Sequence, residues 1–264
     1  MCFVRLAVMT ALVIVTGVPI ACAQAPASGG SVDAALIEDL VAANRILADQ
    51  GVLDAYGHVS VRSPRDARRF LMSRSLAPSL VTGADIMEHD EASEPVGDAR
   101  KPYLERFIHG EIYRQRPDVM AVVHSHSPSV IPFGITKGRL RPVYHMASFL
   151  WSGVPVYDIR RTTPENDLLI RDPRLGHELA EQLGSCTCVL MRGHGMTVVG
   201  DGLPEAVFRA VYTEMNARLQ ALATQLEGPI EFLSEAEGRG ATLANHGTLQ
   251  RPWELWKKKA SGRG

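Results

Sequence analysis

Residues 119–126 read Val-Met-Ala-Val-Val-His-Ser-His, an apolar run that ends in two histidines one residue apart. Side chains alternate faces along a β-strand, so His124 and His126 of such a run point the same way and can grip one metal ion together. Two imidazoles need a further ligand. A second apolar run, Cys186 to Met191, delivers Arg192-Gly193-His194-Gly195-Met196, where the glycines let the backbone turn tightly and leave an imidazole facing a cleft. Three neutral imidazoles with an open position suit Zn²⁺ acting as a Lewis acid, and an added carboxylate also suits Mn²⁺. Glu105 lies 19 residues before His124. By position alone it is a helix-dipole partner in a first turn as readily as a ligand.

The chain has 264 residues, 45% of them hydrophobic, and a net charge of −1. That is enough to bury one sizeable core or two small ones. Lys and Arg are scattered and nearly cancelled by acids, which argues against a nucleic-acid partner and leaves a small molecule as the expected one. Arg5, an apolar run from Leu6 to Ile20 and the small residues Ala21-Cys22-Ala23 have the form of a signal peptide over residues 1–23. The run is short and weakly flanked for a membrane span, so no stable span is expected after cleavage and the mature protein is expected in the periplasm or secreted. An uncleaved membrane anchor is the alternative, and lipidation of Cys22 is disfavoured by Pro19. Residues 24–31, rich in Ala, Pro, Ser and Gly, form a flexible leader, and residues 32–264 form one domain.

Within that domain, apolar spacing predicts a first helix capped by Ser31 and stopped at Gly51. Residues 57–62 alternate as a strand, with 70–72 as its partner. The following loop, Ser73-Arg74-Ser75, carries hydroxyls and a cation where a substrate anion could be held, or a merely solvated arginine. Residues 88–100 read as polar surface. A helix starting at Pro102 and ending before Pro117 places Glu105 in its first turn. Later segments read as a short strand at 154–157, a helix at 175–183, strands at 186–191 and 197–199, and a long helix from Pro204 to about Leu226. Cys186 and Cys188 are expected to share a strand face and pack as small apolar side chains, a redox pair or metal ligands being the other reading. Trp253 and Trp256 are expected to anchor the tail, or else to close over a site. The alternation of helices and strands gives an α/β class.

Glu105 with Phe107 and His109, Arg116-Pro117-Asp118, Ala121-Val122-Val123-His124-Ser125-His126 and Arg192-Gly193-His194-Gly195 together resemble the class II aldolase/adducin family, over about residues 32–256. The resemblance implies a three-layer α/β/α class II aldolase-like fold with a central mixed sheet. It also implies a homotetramer with sites at subunit interfaces, and one divalent metal ion per subunit, Zn²⁺ or Mn²⁺, held by His124, His126 and His194. Glu105 matches the family's acidic residue, which binds the metal in some states and acts as acid or base in others.

The departures are informative. The family's sugar-phosphate aldolases hold phosphate with a Gly-Asn-x-Ser strand, a Thr-Gly loop and two serines before the glutamate. The corresponding places here read Gly57-His58-Val59-Ser60, Ser73-Arg74-Ser75 and Tyr103-Leu104, which puts a phosphate pocket in doubt. Where those aldolases use a tyrosine of the neighbouring subunit as proton donor, this chain has His145 with Tyr144 beside it. The segments YGHVSVRSP, FLMSRSLAP, RPVYHM and RPWELW resemble the family's decarboxylase branch, which acts on hydroxylated aromatic or pyridine dicarboxylates. The expected function is therefore a metal-dependent carbon–carbon lyase that decarboxylates a hydroxylated aromatic or heteroaromatic carboxylate. Glu105, His145 and Tyr144 would manage protons, and Arg74, His58, Ser60 and Ser75 would hold the carboxylate substrate. Aldol cleavage of a non-phosphorylated hydroxy-carbonyl compound is the alternative, and an adducin-like binding role without catalysis a third.

Overall fold

In a computed structural model of the chain, residues 33–261 are described. The expected leader segments, residues 1–23 and 24–31, and the expected cap Ser31 lie outside them. Seven strands form one sheet in the order β3-β2-β1-β4-β7-β6-β5. They are β1 (His58–Arg62), β2 (Phe70–Ser73), β3 (Ile86–His89), β4 (Ala121–Ser125), β5 (Val156–Tyr157), β6 (Cys188–Met191) and β7 (Gly195–Gly200). Only β5 and β6 pair in parallel; every other neighbouring pair is antiparallel, so the sheet is mixed.

The helices are α1 (Ala34–Asp49), α2 (Arg106–Gln115), the single turn α3 (Ile131–Ile135), α4 (Pro173–Leu183), α5 (Leu203–Ala223), α6 (Glu235–His246) and α7 (Gln250–Ala260). Strands β1, β2, β4, β6 and β7 are buried along their whole length, because helices cover both faces of the sheet. Alternation sorts their side chains. Val59, Val61, Ala121, Val123, Leu190 and Val198 pack with α1, α5 and α7 on one face. Val122, Val189, Met191 and Val199 pack with α2 and α4 on the other. His58, Ser60 and His124 occupy the alternate positions of β1 and β4 that belong to this second face. The result is the three-layer α/β/α arrangement expected from the sequence.

Several local expectations are corrected. Asp33, not Ser31, caps α1, accepting from the Ala35 N–H. Helix α2 begins at Arg106 rather than Pro102, so Glu105 is its N-cap residue and not part of its first turn. Residues 86–89, read in part as polar surface, form edge strand β3, which buries Met87 and His89. Cys186 precedes β6, so strand alternation does not govern it: Cys188 sits in the core on the α5 face, whereas Cys186 packs toward the opposite cluster. Trp253 and Trp256 are buried on α7 with the core that holds α1 and α5, which is the anchoring role. Among the described residues no helix is long and apolar enough to cross a membrane.

Candidate metal centre

The site lies at the end of β4, where three separate parts of the chain converge. Strand β4 places His124, fully buried, at its fourth position, and His126 follows one residue past the strand end. His194 comes from the tight turn between β6 and β7. That turn needs its glycines: Gly193 has φ +67°, and a Cβ on Gly195 would lie 2.0 Å from the Ser125 carbonyl oxygen. Only a residue without a side chain lets β7 start so close to the end of β4, which is what brings His194 onto His126. Glu105 enters from the N-terminus of α2 and is fixed by the Ile170 N–H, which donates to Oε1 at 2.9 Å.

One ligand-type atom from each of Glu105, His124, His126 and His194 lies within 4.8 Å of all the others. Glu105 Oε2 is 3.7 Å from Nε2 of His124 and 3.6 Å from Nε2 of His194. The Nε2 atoms of His126 and His194 are 3.1 Å apart. Each ring is oriented by its other nitrogen. Nδ1 of His124 donates to the Met196 carbonyl at 3.1 Å, Nδ1 of His194 to the Leu168 carbonyl at 2.9 Å, and Nδ1 of His126 to Asp54 Oδ2 at 3.0 Å. These partners are acceptors only, so each neutral imidazole carries its proton on Nδ1 and its lone pair on Nε2. Three lone pairs and a carboxylate oxygen therefore converge. Such an arrangement repels itself unless a cation occupies the centre.

Two further observations agree with a cation. Nε2 of His124 is buried with no hydrogen-bond partner, a costly state for a polar atom that metal ligation would relieve. A shared proton is a poor substitute, because burial and then repulsion from any charge on His126 lower the pKa of His194 to about 4, and burial holds His124 well below its usual value. Burial also raises the Glu105 carboxyl to about 7, against the opposing N–H of Ile170. The donor set, three imidazoles and one carboxylate, fits Zn²⁺ or Mn²⁺.

The other expected site residues are placed less uniformly. His58 stands opposite His124 across the β1–β4 pairing, with ring centroids 5.0 Å apart and the Tyr103 ring 4.6 Å away on another side. Arg74 pairs through Nε with Asp85 Oδ1 at 2.7 Å. Ser75 is exposed, its N–H donating to the Lys101 carbonyl. Ser60 is fully buried and bonds to His109 and Tyr113, so its hydroxyl is engaged beneath α2 and is not brought to the cluster. Tyr144 packs beside Tyr212 of α5, and His145 is exposed at the start of a 3₁₀ segment, 145–152. Among the described residues no contact joins either to the four-residue cluster of the same chain.

Sequence reading missed Asp54, which orients His126 from 72 residues away. No spacing signal could have exposed it. Partners of this kind typically contribute 10–100-fold to metal affinity. Asp54→Asn keeps the shape but offers an amide that can turn its N–H toward His126, and it is expected to weaken metal binding by roughly that factor, read by competition with a fluorescent chelator.

A family model described as the class II aldolase and adducin N-terminal domain matches residues 38–221. The chain is 41% identical over 249 residues to decarboxylase tropJ of Talaromyces stipitatus, covering 84% of this chain and 93% of that protein. It is 32% identical over 191 residues to a 3,4-dihydroxyphthalate decarboxylase of Terrabacter sp., covering 66% of this chain and 75% of that one. In three dimensions it resembles an L-fuculose 1-phosphate aldolase from Glaciozyma antarctica PI12, with a TM-score of 0.72 at 23% identity over 90% of this chain and 95% of the other. The chain belongs to the class II aldolase/adducin family.

Proposed function

We propose that this protein is a divalent-metal-dependent lyase that decarboxylates a hydroxylated aromatic or heteroaromatic carboxylate. The observation that carries the metal half is the convergence of three imidazole lone pairs and Glu105 Oε2, with Nε2 of His124 otherwise unpartnered. The reaction half is supported by similarity to two decarboxylases, one of them named for a dihydroxylated aromatic dicarboxylate.

Decarboxylation leaves an electron pair on carbon, and a bound divalent cation supplies the positive charge that lowers the energy of that state. The chain's own residues have separate tasks. His124, His126 and His194 would hold the cation through Nε2. His58 and the Nη end of the Arg74 guanidinium, which has no partner among the described residues, would hold substrate oxygens, the Asp85 carboxylate keeping the arginine oriented. Glu105, whose Oε2 is the oxygen not bonded to Ile170, would deliver the proton to the carbon that loses carbon dioxide.

His145 and Tyr144, apart from the cluster in their own chain, would serve a neighbouring subunit, which is the arrangement a homotetramer provides. Co-expressed His145→Ala and His194→Ala chains are then expected to recover activity that neither has alone; no recovery would confine each site to one chain. An exported mature enzyme, cut after Ala23, remains part of the proposal, and the N-terminal mass of the purified protein tests it.

The product test is direct. Ortho-hydroxy aromatic carboxylates are expected to release carbon dioxide, with loss on chelation and recovery on adding Zn²⁺ or Mn²⁺. An aldehyde product without carbon dioxide would replace this reading with aldol cleavage.

A further inference from the structure

Beside the metal cluster, under α2, three buried polar side chains that the reaction leaves without a task, Tyr113, Ser60 and His109, form a row that leads to His58. Nδ1 of His58 is 2.7 Å from Nε2 of His109, Nδ1 of His109 is 2.6 Å from Ser60 Oγ, and Ser60 Oγ is 2.7 Å from the Tyr113 hydroxyl. All four residues are buried, none more than 5% exposed. Burial this complete disfavours a net charge on any of the four.

A row of three hydrogen bonds between neutral groups can be polarised in two directions. If protons point outward from His58, the chain ends on a Tyr113 hydroxyl that must donate and has no acceptor among the described residues. If they point inward, Tyr113 donates to Ser60, Ser60 donates to Nδ1 of His109, and Nε2–H of His109 donates to Nδ1 of His58. Every donor inside the row is then used, and the one left over is Nε2–H of His58 at the row's end. A donor is costliest to leave unpaired where it is fully enclosed, as the Tyr113 hydroxyl is, so the inward direction wins. With Nδ1 accepting, the one proton of neutral His58 must sit on Nε2. That edge of the ring has no protein partner among the described residues and, unlike Nε2 of His124, is not wholly sealed from solvent. The Tyr103 and His124 rings hold the imidazole from two sides.

We propose that Tyr113, Ser60 and His109 are positioning residues that fix His58 as a neutral Nε2–H donor beside the metal cluster, where it binds a carboxylate oxygen of the substrate. The row sets the tautomer opposite to that of His124, His126 and His194: three rings offer lone pairs to a cation, and the fourth offers a proton to an anion. The substrate half of this inference rests on the reading of the site as a carboxylate-binding lyase; the tautomer half does not.

The test is long-range ¹H–¹⁵N NMR on histidine-labelled, zinc-loaded protein, with salicylate as the probe. His58 is expected to show a protonated, pyrrole-type Nε2 and a pyridine-type Nδ1, and its Nε2–H is expected to shift on adding salicylate. His109→Leu cuts the row and is expected to give a tautomer mixture and roughly 10- to 100-fold weaker salicylate binding, the range for losing a hydrogen bond to a charged group. His109→Gln, whose amide can donate to His58 and accept from Ser60, is expected to restore both. Should His109→Leu fail to fold, Ser60→Ala and Tyr113→Phe are expected to loosen the same bias. A proton on Nδ1 of His58, or a tautomer indifferent to all these changes, would overturn the inference. A fixed tautomer with no response to salicylate would overturn its substrate half, and a protein that releases no carbon dioxide leaves the NMR result standing.

Discussion

His194→Ala is expected to abolish metal binding and carbon dioxide release together. The side chain supplies one of four converging donor atoms, and its Nε2 is the atom nearest His126. Losing a residue that only orients a ligand costs roughly 10–100-fold in affinity, and losing the ligand itself should exceed that. The fold should survive, because the turn owes its geometry to Gly193 and Gly195 rather than to the imidazole, and removing one of the crowded lone pairs relieves repulsion in the metal-free protein. The expected signature is therefore selective: unchanged far-UV circular dichroism, unchanged or higher melting temperature without metal, and no metal-induced rise in melting temperature. A His194→Ala protein that keeps both metal and activity would refute the ligand set.

Glu105→Gln is expected to act in two opposite directions. Catalytically it removes the proton carrier at Oε2, and general acid–base groups typically contribute about 10²–10⁴-fold, so kcat should fall by that order. Thermodynamically it should stabilise the metal-free protein at alkaline pH. Burial raises the carboxyl from 4.5 to about 7 in the folded state. A group with a raised folded pKa favours folding while it is protonated, and that contribution is lost as pH rises from 4.5 through 7. Above pH 7 the ionised, buried glutamate costs about 3 kcal/mol, from roughly 1.4 kcal/mol per pKa unit. The neutral glutamine escapes this cost. The stability difference between variant and wild type should open between pH 4.5 and 7 and level off above it, as measured by urea unfolding with a chelator present. A pH-independent difference would mean that Glu105 is not ionising in a buried setting.

The histidine part of the site was legible because it obeys short periodicities. His124 and His126 differ by one strand repeat, and His194 is marked by the glycines that its turn requires. Glu105 was legible only through the family resemblance, since an acid beside a helix start has an ordinary electrostatic reason to be there. Asp54, Leu168 and Ile170 were not legible. Their contacts with the site span 72, 26 and 65 residues, and two of the three are made by backbone groups that leave no residue signature.

Similar reasons separate the legible and illegible parts of the fold. The long, strongly patterned strands and α5 could be read from the sequence. Strand β3 was hidden because its alternating residues, Ile-Met-Glu-His, bury a histidine that reads as polar. Helix α6 was hidden because its sequence holds two glycines and little apolar surface; it forms against the 145–152 segment, where Gly238 packs on Trp151. Tertiary packing, not local preference, decides such segments.

The most direct single measurement is elemental analysis of the purified protein after exhaustive dialysis, paired with carbon dioxide release from the same sample before and after chelation. One zinc or manganese ion per chain, with carbon dioxide release lost on chelation and restored by the metal, is the predicted result. Full decarboxylation by a protein with no bound metal would contradict the account, because nothing else would then explain why three unprotonated imidazole nitrogens face one carboxylate.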